Sequence, residues 1–131
     1  MANFIYDKAC TGLWNADIDW DAGNIKAALV DTLSYTADKA NDEFLSSVGG
    51  IIATSPNILN KLVTGRVING DDVVFSAVTG NESEAIVIYQ DTTDPATSRL
   101  IIYVDNATGL PVTPNGLDIT VRWNASGIAT L

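Results

Sequence analysis

Asp17, Asp19 and Asp21 alternate along the chain, and carboxylates at that spacing open the loop of an EF-hand calcium site. Such a loop starting at Asp17 also needs glycine at its sixth place and a bidentate glutamate at its twelfth, where Ala22 and Ala28 stand. The stretch therefore reads as a solvated acidic turn. Trp20, flanked by two of these aspartates, is the tryptophan best placed for a partly exposed contact with a partner. The remaining chemical inventory is sparse. The chain has no histidine, which excludes Ser-His-Asp and Cys-His arrangements. Its single cysteine, Cys10, allows neither an internal disulfide nor a nitrogen–sulfur metal site, and reads as a small core residue. Carboxylates are plentiful, yet no pair stands in a context suggesting the two-acid cleft of a glycoside hydrolase. Neither GxGxxG after a strand nor a phosphate-binding GxxxxGK loop occurs. Asp71-Asp72 reads as a turn and strand start, and the three Asn-x-Ser/Thr sequons at Asn81, Asn106 and Asn124 matter only in a secreted protein. The expectation is a protein that is not an enzyme, with no catalytic residues, no cofactor and no metal.

The 131 residues suffice for one domain around one core. A hydrophobic fraction of 47% places the chain with globular proteins and not with disordered ones. No apolar run approaches the roughly 20 residues of a membrane helix, and the start MANFIYDKAC lacks the basic and apolar regions of a signal peptide. Net charge is −9, and the seven Lys and Arg residues are scattered singly, so the charge argues against nucleic acid as a partner.

The elements that must position these residues are mostly strands. Residues 3–15 carry Ile5, Ala9 and Leu13 on one side, with Tyr6 and Cys10 beside them, which predicts a short amphipathic helix weakened at Gly12. A second short helix is expected after Asn41, with Phe44, Leu45 and Val48 turned inward and Gly49-Gly50 as its stop. Strands are predicted at 25–31, 51–54, 58–68, 72–78, 85–90, 100–105, 117–124 and 127–131, and Asn69-Gly70 is the best short hairpin signal. In LDITVRWN the residues Leu117, Ile119, Val121 and Trp123 share one face, so Trp123 reads as core and the strand as half-buried. AIVIY (85–89) and LIIYV (100–104) are apolar on both faces. Either they lie centrally under other parts of the chain, or their second face meets another subunit. On the subunit reading, Ile86, Ile88, Ile101 and Tyr103 join Trp20 as candidate interface residues. The sum is a mainly β protein: a single-domain (residues 1–131) antiparallel β-sandwich or its jelly-roll variant, with a short N-terminal helix and one further short helix.

The segments IKAALVDT (25–32), EFLSSV (43–48), DDVVFSAVTG (71–80) and AIVIYQDTTDPATSRLIIYVDNATGLPVTPNGLDITVRWN (85–124) stand in an order that resembles a family of small structural proteins from tailed-bacteriophage virions. The most specific block is SRLIIYVDNATGLPVTPNG. The resemblance implies a capsid decoration or cement protein, assembled in the host cytoplasm and carried on the capsid exterior. It would be bound in many copies to the major capsid protein and associated with itself as a dimer or trimer, with no nucleic-acid or membrane partner. A tail or head-to-tail connector component is the alternative. A third is a carbohydrate- or cation-binding accessory domain using the Asp17–Asp21 turn.

Overall fold

Backbone hydrogen bonding divides the strands among three antiparallel sheets in the computed structural model, which describes residues 3–107 and 109–131. The strands are β1 (Phe4–Ile5), β2 (Ile25–Val30), β3 (Ile51–Thr54), β4 (Leu62–Thr64), β5 (Val67–Asn69), β6 (Val73–Phe75), β7 (Ala85–Gln90), β8 (Arg99–Val104), β9 (Ile119–Val121) and β10 (Ala129–Thr130). The main sheet runs β1-β8-β7-β2-β3, a second sheet β10-β5-β4, and β6 pairs with β9. The fold is mainly β, with one α-helix, α1 (Asp7–Trp14), among the described residues.

The centre of the main sheet explains its two doubly apolar runs. β7 lies between β2 and β8, so both of its edges are hydrogen-bonded. Alternation sends Ile86 and Ile88 to one face and Val87 and Tyr89 to the other. On the first face Leu29 and Ile86 meet Ile119 and Val121 of β9, leaving a space of only about 30 Å³ between them. On the second, Phe4 stacks on Tyr103 at 5.1 Å between ring centroids, and Tyr6 and Tyr35 close over them edge-on. Both faces are therefore covered by this chain itself, which is the central-strand alternative of the two left open above. The surface of 6933 Å² is close to the roughly 6,700 Å² expected of a folded monomer of this mass.

The helix begins later than its periodicity suggests. Phe4 and Ile5 pair with Tyr103 and Ile102 of β8, and the Tyr6 amide donates to the Ile101 carbonyl before α1 starts at Asp7. An isolated helix this short is marginal in water, so the sheet edge captures its first residues. Its buried face is Ala9 and Gly12, with buried Tyr6 just ahead of it; Leu13 and Cys10 are only half-buried. Gly12 marks a close approach, since a Cβ there would lie 2.9 Å from Ile18 Cδ1.

The second expected helix is a single 3₁₀ turn at Leu45–Ser47, with Leu45 and Val48 buried and Gly50 beyond it at φ +67°. Phe44 stays half-exposed beneath the Arg99 guanidinium, 5.1 Å from its ring centre. Asn41 caps nothing. Asp38 instead accepts the amides of Ala40 and Asn41, and the Asn41 side-chain amide holds its carboxyl below the usual carboxylate range.

The 58–68 run is no single strand. Gly65-Arg66, with Gly65 at φ +61°, folds it into the two-residue hairpin β4–β5, in which Thr64 faces Val67. Asn69-Gly70 is consequently not a hairpin turn; β5 pairs with β4 and β10, and β6 with β9. The LDITVRWN strand shortens to Ile119–Val121 and leaves Leu117 exposed. Thr108, between the 100–105 and 117–124 readings, lies outside the described residues.

Candidate interaction surface

The Asp17–Asp21 stretch leads into a turn at 20–22, closed by the Gly23 amide on the Asp19 carbonyl, and its burial alternates: Ile18 and Trp20 are buried, the aspartates exposed. Asp17 pairs with Arg99 at 3.5 Å, and Asp19 accepts the Ala22 amide, so these two carboxylates already serve the local structure. The tryptophan order expected from sequence is inverted. Trp20 is 4% exposed and donates its indole N–H to the Asn69 carbonyl at 3.0 Å, so it is no exposed contact. Trp123 is half-buried, held by Asp72 Oδ1 through its amide and by the Asp71 carbonyl through its indole. Trp14, in the last turn of α1, is 85% exposed. The spacing itself was the signal: with Asp17, Asp19 and Asp21 facing water, the apolar residues between them are left to face inward.

Ile86, Ile88, Ile101 and Tyr103 are buried inside the monomer, each 7% exposed or less. The exposed apolar side chains lie elsewhere. Leu62 and Val63 of β4 are 59% and 45% exposed, and Leu59, just before them, is also open to solvent. β4 ends its sheet, and among the described residues no strand pairs with its outer edge. Edge strands commonly carry a lysine that discourages further pairing. The neighbouring Lys61 is instead folded back, its ammonium donating to Asn57 Oδ1 at 2.9 Å and to the Ile58 carbonyl at 2.8 Å. Burial lowers the Lys61 pKa, opposed by the nearby Asp21 and Asp19. Leu62 and Val63 thus stand at an open edge that the Lys61 side chain does not guard. Sequence reasoning passed over it because 58–68 read as one strand; Gly65 followed by Arg66 inside an apolar run was the available sign of a turn.

Next to this edge, α1, the 16–21 link and the β4–β5 hairpin enclose a groove of about 370 Å³. Leu13, Ile18, Val63, Ile68, Ile101 and Leu131 line it, with Asp19, Asp21 and Arg66 as its charged groups. A wider cavity of about 650 Å³ lies where β1 and β8 meet residues 32–37, 105–107 and 110–111, with Glu84 and Asp105 as its charged lining. Glu84 is engaged by the Thr32 amide and hydroxyl.

Two of the buried tyrosines are tied together by a hydrogen bond. Tyr35 donates to Asp42 at 2.6 Å and shares a 2.8 Å hydrogen bond with Tyr6. Burial raises both phenols above their ordinary range, and it pushes Tyr89 up to about 12. Each therefore stays protonated at neutral pH. The arrangement suits lasting contact with another polypeptide: an unpaired strand edge with free backbone groups, flanked by apolar side chains. No protein-family model matches the chain, and comparison with curated protein sequences finds no match.

Proposed function

We propose that the protein is a structural component of a tailed-bacteriophage virion, a decoration or cement protein bound in many copies to the outside of the major capsid shell. The observation that carries the proposal is the open edge of β4. Leu62 and Val63 expose apolar surface beside unpaired backbone groups, a combination that a protein acting alone normally avoids. A neighbouring strand, from the capsid protein or from a second copy, satisfies both at once. The resemblance of residues 25–32, 43–48, 71–80 and 85–124 to virion proteins supplies the setting, and the charge of −9 suits a surface away from packaged DNA. We read the layering, with the β6–β9 ribbon over Leu29 and Ile86, as a β-sandwich. A jelly roll would gather eight strands into two sheets, and the division into five, three and two strands favours the simpler sandwich.

The mechanism is mechanical. A protein that straddles capsid subunits binds only the assembled shell and stabilises it by mass action. Each copy need bury only about 1,000 Å², because many act on one shell. The test is to purify particles with and without the protein and heat them. Particles lacking it are expected to release DNA at a lower temperature, and equal resistance would count against a stabilising role. Band intensity relative to the capsid protein separates a decoration protein, near the capsid protein in abundance, from a connector, far below it.

A further inference from the structure

The chain contains two Asn-Gly pairs, Asn69-Gly70 and Asn115-Gly116, and the structure treats them in opposite ways. At Asn69 the Gly70 amide is turned onto the side-chain Oδ1 of Asn69 itself, 2.9 Å away, so the backbone nitrogen already faces the side-chain carbonyl group. The carbonyl of that same peptide bond, Asn69 C=O, accepts the indole N–H of Trp20 at 3.0 Å. When a peptide nitrogen loses its proton, negative charge spreads onto this carbonyl oxygen, and a preorganised donor there stabilises it. Both residues are half-buried and within reach of water. At the second pair, Gly116 N–H donates to the Val78 carbonyl at 2.7 Å. The Asn115 Oδ1 is drawn away to the Leu117 amide at 3.1 Å. Asn115 is exposed, yet its nucleophile is engaged and its electrophile points elsewhere.

We infer that Asn69-Gly70 is a site of spontaneous succinimide formation and isoaspartate conversion in the folded protein, and that Asn115-Gly116 is protected. The Gly70 nitrogen gives its proton to solvent and attacks Asn69 Cγ. The N–Cγ bond forms and the Cγ–Nδ2 bond breaks, and Nδ2 takes a proton from solvent and departs as ammonia. Water then opens the five-membered ring at either carbonyl, leaving aspartate or isoaspartate, with no oxidant or reductant involved. Glycine permits the closure because it has no Cβ to obstruct the ring. The product adds a negative charge to a chain already at −9. The isoaspartate form also lengthens the main chain at the residue that pairs with Leu62 and holds Trp20. Conversion therefore loosens the β4 edge and the Trp20 anchor together.

The experiment ages the intact protein in neutral buffer at body temperature and then digests it with trypsin. Cleavage after Arg66, Arg99 and Arg122 places Asn69 in peptide 67–99 and Asn115 in peptide 100–122. Amide-to-acid mass gain should accumulate on the first faster than on the second by on the order of tenfold, a modest difference in barrier height. In denaturant, where the structure is gone, the two rates should converge. Trp20→Phe should slow conversion at Asn69 in the folded protein, whereas mere loosening of the site would speed it. Equal rates at the two pairs in the folded state, or faster conversion at Asn115, would overturn the inference. An unchanged or faster Asn69 rate in Trp20→Phe would remove the role given to the indole. Particle binding and heat release do not enter these readouts, so the outcome is independent of the virion proposal.

Discussion

β7 and β4 are both apolar strands, and they meet opposite fates. Ala85–Gln90 is paired on both edges and covered on both faces, whereas Leu62–Thr64 is paired on one edge and open on its side chains. Apolar content alone would have placed the interface on β7. Position in the sheet reverses that assignment: a strand with two neighbours finds its covering within the chain, and a terminal strand leaves its outer edge and side chains to whatever docks there. Surface apolarity becomes informative only once the sheet order is known.

The largest separation between the two strands should appear on truncation. Ile88→Ala removes a fully buried side chain and is expected to cost about 2–5 kcal/mol in urea unfolding. A loss below about 1 kcal/mol would mean that β7 is far less enclosed than its burial indicates.

A smaller effect is expected at the anchor joining the two regions. Trp20→Phe leaves the Asn69 carbonyl without its indole donor and should cost about 1–3 kcal/mol. Near-UV circular dichroism, which reports tryptophan packing, should change alongside. Stability equal to the parent would show that water replaces the indole freely.

Smaller again is the polar tether at the end of the central strands. Asp91 lies 2.9 Å from the Lys26 ammonium, and that hydrogen bond, helped by the Thr93 amide, holds the Asp91 carboxyl below its usual range against the opposing effect of burial. A carboxyl depressed in the folded state stabilises it above the unfolded pKa of about 3.9 and loses that contribution as pH falls through the lower folded value. Urea midpoints followed downward from about pH 5 should therefore drop more steeply in the parent than in Lys26→Met, by up to about 1 kcal/mol. Parallel curves would show that the pair contributes nothing to stability.

The smallest effect on folding, and the sharpest on association, belongs to the edge. Val63→Lys places a charge on an exposed strand and should change monomer stability by no more than about 0.5 kcal/mol. Co-sedimentation with capsids lacking the protein should nevertheless fall sharply. Undiminished binding would move the docking surface away from β4.

Much of the strand pattern was legible because period-two alternation and turn residues are local signals. The 25–31, 51–54, 85–90 and 100–105 readings lie within a residue of β2, β3, β7 and β8. Where local signals competed with long-range pairing, pairing prevailed. Phe4 and Ile5 left the helix for the edge of β8, and Asn69-Gly70 yielded its turn to Gly65-Arg66. The burial of the candidate interface residues has the same origin. Whether Ile86 or Trp20 faces water depends on β9 and on Asn69, which lie 33 or more residues away in the chain.

Composition and order alone settled that the catalytic arrangements depending on histidine are out of reach and that the chain would be built mainly of short strands. Those conclusions rest on side-chain chemistry and on the two-residue repeat of an extended backbone, both present before any folding. Which strand lies at the centre, which edge stays open, and which of two identical Asn-Gly pairs is poised to react were decided by packing, because each depends on partners that only the folded chain brings within a few ångströms.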